Sequence, residues 1–380
     1  MAATVDTSAA QDSTPATPAS PAADPRAPDP ALIEQAVGKV FTDLGVFLSA
    51  PMLAIGDRLG LFKAMAGAGP LTTAALAQRS GLVERYVREW VRAVAIGGYV
   101  DYDAAADSYT LSPEMALVLA DDDSPVALIG VVPSMADIWA QLPSIAGFFR
   151  SGGGQGWGDL GPGMAAAQAR FSRPQFVHGL VGEWIPTIDG MTDRLTAGAK
   201  VADLGVGLGV STVLAAQAWP ASTFVGSDPD ADSVITARRR AMSAGVADRV
   251  QFVVADAAQH PGGDYDLVLA LDCLHDMGDP VAALRHARET VAPDGFLLVA
   301  EPLAADRFED DFANPYARIG YAISTLACLP SSMSQPGGLG LGAMAGESRL
   351  RELVADAGFT RVRRIQAQSA PFTILLEVRP

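Results

Sequence analysis

The sequence predicts an α/β fold in which a parallel sheet is covered by helices on both faces, preceded by a mostly helical, winged-helix domain. Three observations predict it. From Lys200 onward, short apolar strands alternate with helical patterns: KVADLG, STVLAAQAW, STFVGSD, SVITARRRAMSAG, VQFVVAD, YDLVLALD, VAALRHARETV, GFLLVAEP. Strands buried on both faces and joined by helical crossovers run parallel. The second observation is VADLGVGLGVST at 201–212, where a strand enters a turn with a glycine at every other position. The third lies between Leu71 and Pro113, where two helical patterns are followed by two short strand patterns, the order of a winged helix-turn-helix.

Composition narrows the function before any motif is read. The chain has 380 residues, enough for two domains, and is 49% hydrophobic, enough to bury a core. It has 27 Lys and Arg against 43 Asp and Glu, a formal charge of -16, which repels a phosphate backbone and argues against nucleic acid as a partner. Cys273 and Cys328 stand in apolar contexts without a Cys-x-x-Cys pair, and there are four histidines, so the expectation is a reducing compartment and no metal. The residues after Met1 lack the basic and apolar regions of a secretion signal, and no uninterrupted apolar run approaches membrane-spanning length. A cytoplasmic protein without a membrane partner is expected.

Taken in order, residues 1–30 are rich in Ala, Pro, Ser, Thr and Asp and read as a disordered tail. Residues 31–124 read as the winged-helix domain. Apolar residues recur at helical spacing from Leu32, and Pro51 divides the pattern into two expected helices. Thr72 or Thr73 caps a short helix that Gly81 breaks, and Glu84 to Ala95 carries an apolar stripe of Tyr86, Val87, Trp90, Val91 and Val94. Gly97-Gly98 ends it, and YVDYD and SYTLS form the wing. Arg85, Arg88 and Arg92 are interleaved with Glu84 and Glu89, which favours a packing or dimerisation module over a DNA reader. Residues 125–194 read as a helical connector or lid, broken by SGGGQGWGDLGPG at 151–163. Residues 195–380 form the α/β domain, closed by a helix at LRELVADAG and an antiparallel edge from TRVRRIQAQ and FTILLEVR.

The glycine turn separates two ligand classes. A dinucleotide fold spaces its glycines Gly-x-Gly-x-x-Gly to meet a pyrophosphate, whereas here they are Gly205, Gly207 and Gly209, with Asp203 at the strand end. A carboxylate beside a pyrophosphate is unfavourable, and beside an ammonium it is favourable. S-adenosylmethionine (SAM) carries adenosine and a charged amino acid without phosphate, so it is the expected cofactor. Asp228 ends the next strand, where a carboxylate can accept both ribose hydroxyls, and Asp256 with Ala257 follows the third, placed for the adenine. Either acid could instead cap the helix that follows it.

With VADLGVGLG, GSD and VADA in these places, residues 195–380 resemble class I SAM-dependent methyltransferases. The segment ending ERYVREWVRAVAIGGYV resembles the amino-terminal domain of caffeic acid-type small-molecule O-methyltransferases and related bacterial enzymes. Together the resemblances cover about residues 35–380. They imply a Rossmann-like seven-stranded domain and a winged helix that builds a homodimer and part of the substrate cavity.

Transfer from a sulfonium is an in-line displacement, so a hydroxyl acceptor must be oriented and its proton removed. LALDCLHDMGDP follows the fourth strand and puts His275 on the same rim as the cofactor acids, with a pKa class suited to a base. The resemblance implies that His275-Asp276 is the His-Asp pair of plant O-methyltransferases. Met277 stands where those enzymes have tryptophan. By the same resemblance Glu301, which could instead only cap the loop at Pro302, orients the base, and Glu347 is a second supporting acid. A histidine here could also be only part of the cofactor wall. His178 and Trp184 fit core or interface positions better than cavity ones. The apolar segment ARIGYAISTLACLPSSMSQPGGLGLGAM could line an acceptor pocket. The expected function is SAM-dependent methyl transfer to a small hydrophobic acceptor at a hydroxyl. N- or C-methylation, a SAM-binding winged-helix regulator and a non-methyl reaction in the same pocket stay open.

Overall fold

The computed structural model describes residues 28–380; the expected disordered tail lies almost wholly outside the described residues. The chain divides between Leu48 and Ser49 into two compact units. In the first, the helix α1 (Pro30–Arg58) begins and exposes Leu32, Val37, Phe41, Leu44 and Leu48. The sequence predicts a break at Pro51, but α1 runs through it. A proline removes one N–H and strains one turn. The break falls instead at Gly60, whose φ of 68° belongs to the left-handed region that glycine adopts freely. This continuity also alters the expectation of no membrane-length run: among the described residues α1 is long and apolar enough to cross a membrane, by length and composition alone.

In the second unit the helices α2 (Leu61–Met65), α3 (Thr73–Ser80) and α4 (Glu84–Ile96) precede the wing strands β1 (Asp101–Asp103) and β2 (Ser108–Thr110). Thr72 caps α3 by accepting from the Ala75 N–H at 3.2 Å, and Gly81 ends it at φ 69°. On α4, Val87, Trp90, Val91 and Val94 are buried against Leu61, Phe62, Met65 and Leu76. Tyr86 departs from the predicted stripe and is 80% exposed. Arg85 and Arg88 pair with Glu89 and Glu84 one turn away, so much of the positive charge on this helix is neutralised locally.

The connector holds α5 (Pro113–Leu119), α6 (Met135–Ser151) and α7 (Pro162–Pro174), which continues in wide turns to Trp184. After α8 (Met191–Ala197) come β3 (Lys200–Leu204), α9 (Val210–Ala218), β4 (Thr223–Asp228), α10 (Ala231–Ser243), β5 (Val250–Val254), β6 (Tyr265–Leu271), α11 (Pro280–Thr290) and β7 (Val291–Pro302). The short helices α12 (Ala317–Ile323) and α13 (Leu329–Ser334), then α14 (Glu347–Asp356), lead to the terminal strands β8 (Arg361–Ile365) and β9 (Thr373–Arg379).

The seven strands lie in the order β5-β4-β3-β6-β7-β9-β8, with β9 antiparallel to both neighbours and every other pair parallel. Alternation splits the core in two. Val201, Leu267 and Leu269 pack in the layer of α9 and α10, while Ala202, Val268 and Ala270 pack in the layer of α11 and α14. The chain's direction of travel across the sheet reverses between β3 and β6, which opens a crevice at their carboxyl ends.

Candidate active site

The floor of that crevice is the glycine turn after β3. Gly205, Gly207 and Gly209 all have positive φ, of 66°, 50° and 73°. At Gly205 a Cβ would stand 2.8 Å from Cys273 Cβ, so only glycine lets this turn approach the end of β6. At Gly207 nothing lies within 4 Å, and the backbone there is open to a ligand. Asp228 accepts the Gly207 N–H at 2.8 Å through Oδ2 and the Asp230 N–H at 2.9 Å through Oδ1. Burial raises its carboxyl above the ordinary range against the pull of those two bonds. Asp228 thus fastens the turn to β4.

Asp203 differs from the expectation that it lies at the ligand. Alternation turns it onto the α9 face, 1% exposed, where Oδ2 accepts the hydroxyls of Ser211 and Thr212 at 2.7 Å each. Burial pushes its carboxyl up to about 6, opposed by the Thr212 and Ser211 bonds. It supports the turn from behind. Asp256 is exposed and caps a short 3-10 turn by accepting the Ala258 N–H at 2.8 Å, and Ala257 beside it is buried.

The other wall is the turn after β6. Asp272, with φ 57°, bends the chain, so that Leu274–Asp276 form a 3-10 turn over the sheet edge. His275 is 3% exposed and Glu301, near the end of β7, is 2% exposed. Imidazole Nδ1 lies 2.5 Å from Glu301 Oε2, while Glu301 Oε1 accepts the Cys273 and Leu274 N–H groups at 3.1 and 2.8 Å. This fixes the ring and leaves Nε2 as the nitrogen able to exchange a proton. Burial disfavours the imidazolium, but the Asp276 and Glu301 carboxylates outweigh it and hold the histidine pKa well above its ordinary value.

Around His275 stand Asp276, the predicted partner in the His-Asp pair, and groups for which the sequence suggested no role at this site. Trp157, from the glycine-rich connector loop, donates its Nε1–H to Asp276 Oδ2 at 2.6 Å. Asp276 Oδ1 is buried without a hydrogen bond of good geometry, 3.5 Å from His275 Nε2. Asp272 keeps an exposed surface, yet desolvation by the atoms around it pushes its carboxyl up to about 6, and Gln168 Nε2 donates to its Oδ2 at 3.0 Å. One donor atom each from His275, Asp276 and Cys328 lie within 4.8 Å of one another. Burial pushes the Cys328 thiol up to about 12. Asp276 was legible as the partner of the base; Asp272 was not singled out, and Cys328, some fifty residues away, gave no local signal.

One predicted site residue, Glu347, lies elsewhere, and His178 and Trp184 stand outside the site, as expected of them. Glu347, the first residue of α14, is held by Arg351 at 2.7 Å and Arg364 at 3.1 Å and does not meet His275. His178 Nε2 bonds the Asp123 carbonyl at 2.8 Å, and Trp184, 1% exposed, donates to Ser369 Oγ at 2.9 Å as a core residue.

Residues 48–121 match the Rv2258c-like winged HTH domain, and residues 202–297 match a methyltransferase domain. Among curated relatives, 27-O-demethylrifamycin SV methyltransferase of Amycolatopsis mediterranei is 33% identical over 143 residues, 33% of this chain and 52% of that one. The mitomycin biosynthesis 6-O-methyltransferase of Streptomyces lavendulae is 26% identical over 249 residues, 63% of this chain and 70% of that one. The chain spans about half or less of the length of the first curated relatives it matches. The solved mitomycin 7-O-methyltransferase MmcR shares the fold, with a TM-score of 0.65 at 22% identity over 92% of this chain and 99% of that one.

Proposed function

We propose that this chain, a winged-helix domain joined to a class I methyltransferase fold, is a SAM-dependent O-methyltransferase acting on a small, largely apolar hydroxyl compound. The observation that carries the reading is the His275–Glu301 pair, buried on the same sheet edge as the glycine turn fastened by Asp228. The names of the three relatives above, a 27-O-demethylrifamycin SV methyltransferase and the mitomycin 6-O- and 7-O-methyltransferases, support a hydroxyl of a small molecule as acceptor.

The pocket's chemistry fits the cofactor. Open backbone at Gly207 and the carboxylates of Asp228 and Asp256 suit a ribose, an adenine amine and a cationic amino acid. SAM, when bound, supplies the electrophilic methyl group. The residues of this chain do the rest: His275 Nε2 takes the acceptor's hydroxyl proton, and Glu301 holds the ring and stabilises the imidazolium that results. Trp157 and the connector loop shield the turn from water through Asp276. The domain boundaries near 124 and 194, a homodimer and a cytoplasmic site complete the reading. The apolar side chains that residues 30–48 expose support the dimer, whose mass light scattering in solution would measure.

Calorimetric titration with SAM and S-adenosylhomocysteine tests the proposal, followed by a screen of phenolic, amine and carbon acceptors. Micromolar binding of both ligands and turnover on hydroxyls are expected. A folded protein that binds neither sinks it.

A further inference from the structure

We propose that His275, Asp276 and Cys328 form a binding site for a thiophilic divalent cation, Zn²⁺, whose occupancy switches off proton removal by His275. The switch rests on the reading of His275 as the base, but the metal site does not.

The donor set is the first argument. A neutral imidazole nitrogen, a carboxylate oxygen and a thiolate are the ligand types zinc takes, and one atom of each converges within 4.8 Å in a buried place. His275 Nδ1 is already occupied by Glu301, so the free donor is Nε2, the atom proposed to act on the acceptor. Asp276 is likewise half committed. Its Oδ2 is bound by Trp157, while Oδ1 is buried without a hydrogen bond of good geometry, and the Cys328 thiol is the remaining donor beside the carboxyl.

Distance is the second argument. Asp276 Oδ1 and His275 Nε2 are 3.5 Å apart, too long for a good N–H···O bond. Ligands held at ~2.0–2.1 Å around a tetrahedral zinc sit roughly 3.3 Å from each other. The Trp157 bond to Asp276 and the Glu301 bond to His275 supply the supporting shell that zinc ligands require. Charge is the third. The carboxylates of Asp276 and Glu301 stand 3.5 and 2.5 Å from the two ring nitrogens of His275. A cation offsets that negative charge, as imidazolium or as metal.

On binding, Cys328 releases its thiol proton and His275 its Nε2 proton to solvent, and Nε2 and Sγ each donate a lone pair to the ion. The base then has no lone pair for the acceptor. Cys273 stands outside the set, with its thiol directed to the Leu204 carbonyl at 3.3 Å.

The test is titration of the chelator-treated full chain with Co²⁺, then displacement by Zn²⁺. One ion per chain is expected, with tetrahedral ligand-field bands and a thiolate-to-cobalt charge-transfer band. Cys328→Ser removes that band and weakens binding at least tenfold, Asp276→Asn weakens it likewise, and Cys273→Ser changes neither. S-adenosylhomocysteine binding by each variant shows that the fold is intact. Absence of the band from the folded wild-type chain, or its survival in Cys328→Ser, overturns the site. Undiminished methylation at saturating Zn²⁺ overturns the switch. A chain that binds metal but not SAM refutes the methyltransferase reading alone.

Discussion

Glu301 holds His275 by two routes at once: its Oε2 lies 2.5 Å from the ring, and its Oε1 accepts the N–H groups of the two residues before it. One buried carboxylate therefore fixes both the turn that carries the histidine and the ring itself. That coupling, between strands β6 and β7, makes the base's position a property of the sheet rather than of a loop.

His275→Ala should reduce turnover on hydroxyl acceptors by ~10²–10⁴-fold, the range expected for a general base. Cofactor affinity should stay within about twofold, because no bond from the ring supports the glycine turn. Steady-state rates beside calorimetry separate the two. Retained turnover would make the histidine a wall residue only.

The pH profile should carry Glu301's signature. With the histidine pKa well above its ordinary value, the reactive neutral ring accumulates only as pH rises, so activity climbs through and above neutrality. Glu301→Gln removes one of the two carboxylates that raise it, and the acid limb should move to lower pH while the maximal rate falls ~10–100-fold, as for loss of an orienting group. A lowered rate with an unmoved limb would leave Glu301 a purely structural role.

Asp228→Ala removes the acceptor of two backbone N–H bonds at 2.8 and 2.9 Å. Hydrogen bonds to a charged group are worth ~1.5–3 kcal/mol, so SAM and S-adenosylhomocysteine should each bind at least ~10–100-fold more weakly. Equal loss for both ligands is expected, since the group meets the part they share. Unchanged affinity would move the ribose elsewhere.

Asp203 makes a prediction about stability. Its folded pKa of about 6 lies above the unfolded value, so the folded state holds the proton longer and stability falls as pH rises from about 4 to about 6. Asp203→Asn removes that dependence and should gain on the wild type by ~2–3 kcal/mol across this window, the size of a two-unit shift. Denaturant melts at pH 4.5 and 7.5 measure it. A constant difference at the two pH values would contradict the assignment.

Much of this architecture was legible in one sequence because strand and helix periods are local. The alternation after Lys200, the glycines of the turn, the acids that close β4 and β7 and the His-Asp pair each need only a few neighbouring residues to be recognised. The break between the first two helices was misplaced at Pro51. A single lost N–H is a small local penalty, and Gly60's left-handed turn proved the sharper stop. Glu347 was misplaced for a different reason. Loop lengths set its alignment, while two arginines from α14 and β8 decide where its carboxylate goes.

The sequence by itself determined which chemistry was available: an acidic, glycine-lined crevice at the carboxyl ends of a parallel sheet, with an imidazole on its rim. Only the tertiary structure decided who faces whom. Side-chain alternation turned Asp203 away from the cleft and into Ser211 and Thr212. The connector loop brought Trp157 onto Asp276, 119 residues away, and the helical turn that leads into α13 set Cys328 beside His275. Such contacts join distant segments through packing, and no local period records them.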